Sequence, residues 1–136
     1  MKLQKIQYQE LNSKQQEIYN FQKVASVLAE YGFNCIKLSD DWQGADFIAY
    51  HKDGENTLKI QLKGRVYVAE KYQNKNLFMV FPIDNIWHLV EHDKLLDLVS
   101  EHCVWLKSNA WNDTRAYSSG SINKKLKQAL RQYALI

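Results

Sequence analysis

The sequence predicts an α/β sandwich around a mixed sheet, and three observations carry that expectation. A helical apolar stripe comes first, two alternating segments then meet at Asp53-Gly54, and two short apolar runs precede further helical patterning. The implied order is helix, three strands, a variable connection, two strands and then helices, which layers helices against a sheet.

Each element has a local reason. Across residues 15–31, Ile18, Phe21, Val24, Ala25, Leu28 and Tyr31 recur at three- and four-residue intervals with no Gly or Pro, so an amphipathic helix is expected. Ser13 is the expected N-cap with Gln16 as its capping-box partner, and Gly32 is the stop. Residues 33–38 read as a first strand, and residues 39–43 as a loop leading into Gly44. Phe47, Ile48, Ala49 and Tyr50 form a short apolar strand, while Leu58, Ile60 and Leu62 alternate with Lys59, Gln61, Lys63 and Arg65. Residues 66–76 fit either a prolonged third strand or a connection over the active face. Residues 77–81, bounded by Pro82, and residues 86–90 read as two strands joined through Asp84-Asn85. Asp93 caps a helix over 94–100, residues 103–106 suggest a last short strand, and Ser121 caps a final helix reaching about 134. One domain over 1–136 is expected, with its core at about 13–106.

Composition narrows the class. Hydrophobic residues make up 46% and charged residues 24%, which is globular, and the apolar runs are too short to cross a bilayer, so no membrane partner is expected. Met1-Lys2-Leu3-Gln4-Lys5 lacks the apolar stretch of a secretory signal, and a cytoplasmic location is the expectation. Cys35 and Cys103 share no metal-binding spacing and read as reduced, buried thiols. His51, His88, His92 and His102 have neither nucleophile partners nor ligand spacing and are assigned no chemistry. The net charge of +3 suits an anionic partner without proving one, and the basic residues concentrate around 59–75 and at Lys124, Lys125, Lys127 and Arg131.

The turn between the alternating segments carries the functional reading. A two-residue turn at Asp53-Gly54 pairs Lys52 with Glu55 and sets Asp46 opposite Gln61 and Gly44 opposite Lys63. A four-residue loop shifts Asp46 to Lys63 yet keeps the face, whereas a three-residue loop breaks it. Even loop lengths therefore put Asp46, Gln61 and Lys63 on one face. An acid, a second oxygen donor and a lysine are what metal-dependent phosphodiester hydrolysis needs: oxygens for a hard cation, and an ammonium beside the attacking water or the phosphate. The competing reading makes Lys59, Gln61, Lys63 and Arg65 the solvated face of an ordinary strand.

A leading helix, a short strand, Gly44-Ala45-Asp46 on the next strand and Gln61-Leu62-Lys63 on the one after resembles the PD-(D/E)XK nuclease superfamily. The resemblance covers about residues 13–82 and is to the Gln-x-Lys variant of the Mrr-like, Holliday-junction-resolvase-like branch. It implies a restriction-endonuclease-like three-layer sandwich, with a mixed central sheet flanked by helices, and Mg²⁺- or Mn²⁺-dependent cleavage of DNA. It also implies that Asp46 is the central metal ligand and Gln61 the second, with Lys63 orienting or deprotonating water or stabilising charge on the phosphate. Many members place a glutamate on the first helix, and Glu17, one turn before Phe21, is the candidate for that third ligand, with a solvated first-turn acid favoured by the helix dipole as the alternative. Gln61 offers a dipole where a carboxylate offers a charge, so weaker metal affinity is expected.

Lys59, Arg65, Lys71 and Tyr72 are the expected nucleic-acid contacts, with ordinary surface charge as the alternative for the cations. The basic face of the last helix fits either phosphate contact or a solvated surface. Trp42 is placed to stack on a base, and Asp40 and Asp41 are either alternative metal acids or turn residues. Family members that cut both strands often act as dimers, which admits a homodimer here. Besides a nuclease, the sequence admits an inactive nucleic-acid-binding relative, or a protein-interaction domain whose basic face meets an acidic partner.

Overall fold

The computed structural model describes residues 1–136, and its first long element is helix α1 (Ser13–Ala29). The capping box lies one residue before the expected pair: Asn12 Oδ1 accepts from Gln15 N–H at 2.9 Å, and Gln15 Oε1 accepts from Asn12 N–H at 3.0 Å. An amide at Asn12 caps as well as a serine hydroxyl, which leaves Ser13 inside the first turn. Val24 and Leu28 are 0% exposed. They pack with Phe47, Ala49, Ile60 and Val80 of the sheet, each buried aliphatic contributing about 1.5–3 kcal/mol.

The sheet contains β1 (Phe33–Trp42), β2 (Ala45–His51), β3 (Thr57–Leu62), β5 (Leu77–Ile83) and β6 (Ile86–Glu91) in that spatial order. Only the β3 and β5 pair is parallel, because residues 63–76 cross between them, so the sheet is mixed as expected. That crossing carries β4 (Val66–Ala69) and a 3-10 turn at Glu70–Tyr72, which resolves the ambiguous stretch as a connection with its own short strand. β4 pairs antiparallel with β7 (Ala116–Ser119) in a separate two-stranded sheet.

Helix α2 (His92–His102) and helix α4 (Lys124–Leu130) cover the other face, packing Leu95, Val99, Leu126 and Leu130 with Met79, Phe81 and Val90. Helices thus flank the sheet on both faces. No helix is long and apolar enough to cross a membrane.

Several boundaries differ from the sequence reading for identifiable reasons. The first strand runs on through residues 39–42, and its register with β2 shifts by three residues between Lys37↔Phe47 and Trp42↔Ala45. The expected loop is a bulge closed by a turn at Gln43 (φ 52) and Gly44 (φ 89), the two positive φ values of a type I′ hairpin. Asp84 and Asn85 form a second turn of this kind. Pro82 sits inside β5: Trp87 O accepts from Leu135 N–H, so the Pro82/Trp87 pair makes no ladder bonds. The proline nitrogen then faces the side that β3 has already left, and no donor is missed.

Residues 103–106 form no strand; Trp105–Lys107 is a 3-10 turn followed by α3 (Asn109–Thr114). Asp93 lies inside the first turn of α2 and does not cap it. The last helix starts at Lys124 under Asn123, whose Oδ1 accepts from Leu126 N–H at 2.8 Å, and ends in a 3-10 turn at Arg131–Tyr133.

His92 is fully buried and its Nε2 accepts from Ala69 N–H at 3.1 Å, tying β4 to α2. An accepting Nε2 requires a neutral ring, and burial lowers the pKa of His92 in keeping with that.

Gly44 ties the first hairpin to the far core, since a Cβ there would stand 3.0 Å from both Leu77 Cδ2 and Tyr72 Cδ1 in a left-handed conformation. Gly44→Ala is expected to cost about 1–3 kcal/mol, read as a lower urea midpoint. An unchanged midpoint would show that the turn relaxes without cost.

Candidate active site

The ladder between β2 and β3 runs from Tyr50↔Thr57 to Phe47↔Ile60. This is the register that pairs Asp46 with Gln61, although the turn itself is wider than two residues. His51 N–H donates to Asn56 O at 2.8 Å, and Asp53 Oδ1 accepts from the N–H groups of Glu55 and Asn56. The parity of the loop is even, so the face is preserved.

Asp46 lies one residue beyond the last pair with β3 and inside the bulge facing β1, so the ladder gives it no partner on either side. The strands part here. β3 continues with β5, as Lys63 N–H donates to Val80 O at 3.0 Å. Leu62 N–H donates to Asp46 Oδ2 at 2.8 Å, so the acid side chain replaces the missing strand.

A cavity of about 290 Å³ opens at this divergence, lined by Glu17 of α1, Lys37 of β1, Asp46 of β2, Gln61 of β3, and Lys63 and Gly64 beyond it. All four expected site residues line it. Gln61 is 7% exposed, and its Oε1 is buried without a hydrogen-bond partner. An unpaired buried acceptor costs about 1–3 kcal/mol, and a cation ligated there satisfies it. Asp46 and Glu17 add carboxylate oxygens, and an all-oxygen donor set suits a hard divalent ion. No three Asp, Glu, His or Cys side chains gather into a metal-binding group, so the amide oxygen is needed to complete such a set. Glu17 points outward in part: its side chain is 64% exposed and pairs with Lys14 at 3.5 Å.

Desolvation works on both charges of the pair. Burial raises the Asp46 pKa, opposed by the Leu62 N–H bond and by the charges of Lys63 and Lys37, with Asp41 raising it further. Burial lowers the Lys63 pKa, opposed chiefly by Asp46, while Lys71 adds to the lowering. The Lys63 Nζ lies 4.3 Å from the centre of the Tyr67 ring, a cation–π contact that holds the ammonium over an apolar wall.

The expected nucleic-acid contacts divide. Tyr72 is corrected: it is 4% exposed, stands edge-on to His92 at 5.6 Å, and offers no face to a base. Burial pushes its phenol up to about 12. Lys71 is exposed, with its Nζ 5.2 Å from the Tyr72 ring centre. Arg65 turns from the cavity to donate to Ser118 Oγ at 3.0 Å. Lys59 donates to Gln43 Oε1 at 2.8 Å and lies over the exposed Trp42 ring. Asp41 Oδ1 accepts from Gly44 N–H at 2.6 Å, which makes it a turn residue whose charge still reaches the site.

Lys37 is the site residue that sequence reading missed. Its signal was present: Phe33, Cys35 and Lys37 occupy alternate positions, so a lysine ends the stripe that faces α1.

No protein-family model matches the chain, and no curated protein matches it in sequence. Among solved structures it is similar to Hjc, a Holliday junction resolvase from the archaeal hyperthermophile Archaeoglobus fulgidus. That similarity has a TM-score of 0.43 at 12% identity and covers 54% of this chain and 76% of that one.

A raised Asp46 pKa means that the folded protein holds this proton more tightly than the unfolded chain. The resulting stabilisation is present below the unfolded value near 3.9 and is lost as pH rises through the folded value. Ionised Asp46 therefore opposes folding at neutral pH. Asp46→Asn is expected to raise the urea midpoint at pH 7, with the gain shrinking on acidification. Urea titrations across pH check both the sign and the trend.

Proposed function

We propose that this chain is a divalent-metal-dependent deoxyribonuclease whose reaction takes place in the cavity between α1 and the parting strands. Asp46, Gln61 and Glu17 would hold Mg²⁺ or Mn²⁺. The observation that carries the reading is the convergence of Asp46, Gln61 and Lys63 on one cavity, with the Gln61 Oε1 atom buried and unpartnered.

A divalent cation bound there supplies Lewis acidity towards the phosphoryl oxygen and lowers the pKa of water. The chain's own groups do the rest. Asp46 is fixed by Leu62 N–H and kept from rotating away. Lys63, with its proton affinity lowered by burial, exchanges a proton at Nζ with the attacking water or holds its charge against the developing negative charge on the phosphate. Lys37 on the cavity wall neutralises a non-bridging oxygen. Water oxygen bonds to phosphorus as it gives up a proton, one ester P–O bond breaks with its electron pair going to the departing oxygen, and that oxygen takes up a proton in place of the one the water lost, by way of Lys63 Nζ or solvent.

Binding without cleavage is the second reading, and the neutral Gln61 together with a largely exposed Glu17 favours it. That reading predicts salt-dependent DNA affinity and an intact substrate.

With Mg²⁺ or Mn²⁺ the purified protein is expected to cut DNA, and Asp46→Ala or Lys63→Ala to lower the rate at least about 100-fold while the circular dichroism spectrum is unchanged. Metal-independent cutting that survives both substitutions would sink the proposal.

Gln61→Glu separates the roles of charge and shape. It is expected to lower the Mg²⁺ concentration for half-maximal cleavage and to lower the metal-free melting temperature, because a second buried carboxylate joins Asp46. A metal-free melting temperature equal to that of the parent protein counts against Gln61 and Asp46 sharing one desolvated site.

A further inference from the structure

A second cavity, of about 480 Å³, lies against the same site and is lined by Tyr8, Tyr19, Asn20, Lys23, Gly64 and Trp87 among others. It adjoins the Asp46 cavity through Gly64, the residue directly after Lys63, which lines both. A Cβ built on Gly64 meets no protein atom within 4 Å, so a side chain can be added at this shared wall without a clash at its first carbon. Its size falls in the range that encloses a small organic ligand.

The lining has an identifiable chemistry. Tyr8 and Tyr19 stand edge to face with ring centres 5.3 Å apart. Tyr8 is fixed in place: its hydroxyl accepts from Asn20 Nδ2 at 3.0 Å, and its backbone oxygen from Gln16 Nε2 at 3.4 Å. Tyr19 is 37% exposed, and the Lys23 Nζ sits 5.4 Å from its ring centre. Aromatic faces for stacking, carboxamides for base edges and one ammonium for a phosphate are the groups that receive a nucleobase outside a helix. A base stacked within a duplex offers neither of its faces to such a cleft.

We propose that this cleft receives an unpaired nucleobase next to the scissile phosphate, so that the substrate is DNA with a single-stranded segment at the point of cleavage. The inference rests on the nuclease reading for the position of that phosphate, whereas base capture is measurable without cleavage.

The test uses the full chain in EDTA with a 12-nucleotide single strand carrying 2-aminopurine at each position in turn, and a blunt duplex of the same length. The single strand is expected to bind more tightly, with fluorescence quenched at one position. Tyr19→Ala is expected to abolish that quench and weaken single-strand binding about 5- to 150-fold, the range spanned by base–aromatic stacking. Duplex binding should stay within about twofold. Gly64→Leu, which meets no protein atom at its Cβ, should weaken single-strand binding in the same sense with the fold intact.

Equal single-strand affinity of both variants and the parent overturns the inference, as does equal binding of duplex and single strand without a quench. Tyr19-dependent capture by a protein that cuts nothing removes the nuclease reading and leaves the base cleft. Cutting of fully paired DNA that Tyr19→Ala leaves unchanged does the reverse.

Discussion

The hydrogen bond from Leu62 N–H to the Asp46 carboxylate is the contact on which the site depends. Where β2 leaves β3, Leu62 loses a strand partner and a half-buried backbone donor needs an acceptor. The acid that supplies the acceptor is thereby set beside Gln61 and Lys63, the two neighbours of Leu62. One local requirement of the backbone thus fixes the position of three side chains of the candidate site. It does so on strands that the α1 core holds through Phe47 and Ile60. The arrangement works against stability, because desolvation raises the proton affinity of Asp46 and lowers that of Lys63. Strain of this electrostatic kind is what a reactive site retains.

The β1–β2 turn is held by a chain of contacts that leads away from the candidate site. Gly44 abuts Tyr72, Tyr72 stands edge-on to His92, and His92 accepts from Ala69 N–H in β4. The turn that delivers Asp46 is therefore clamped by the crossing between β3 and β5. This explains why Tyr72 is buried although it follows an exposed lysine: its ring is the wedge between the turn and α2. The same crossing leaves β3 at Gly64, which lines both cavities.

The sequence was legible where parity decides. Alternation in residues 58–65 and an even loop around Asp53-Gly54 keep Asp46, Gln61 and Lys63 on one face, while the four-residue loop closed by His51 and Asn56 keeps the register of Asp46 with Gln61 and not the shift to Lys63 expected of that length. Helix α1 was legible because apolar residues recur on one face, and Glu17 rides on the edge of that face. Non-local pairing was not legible. The β4–β7 sheet joins segments about fifty residues apart, and neither strand is long enough to show a period. The bulge in β1 was hidden because Ser39-Asp40-Asp41 has the composition of a loop, yet its backbone remains extended. Tyr72 was misassigned for a related reason: position next to a cation says nothing about which way a ring points at the end of a 3-10 turn.

Gln61 is best understood through the charges that surround it. Lys37 and Lys63 face Asp46, with Asp41 and Glu17 close enough to influence Lys63 or Asp46. A glutamate at 61 would add a buried anion beside an acid whose ionisation is already opposed by burial, and the cation-free protein would bear that cost. An amide avoids it and leaves only an unpaired oxygen, a smaller penalty that ligand binding removes. In the proposed metal site the exchange of charge for a dipole would weaken the hold on a cation, and it would spare the cation-free protein a second buried charge. The glutamine is in this sense matched to the Asp46–Leu62 bond: the bond joins the parted strands, and the amide adds no second buried anion beside it.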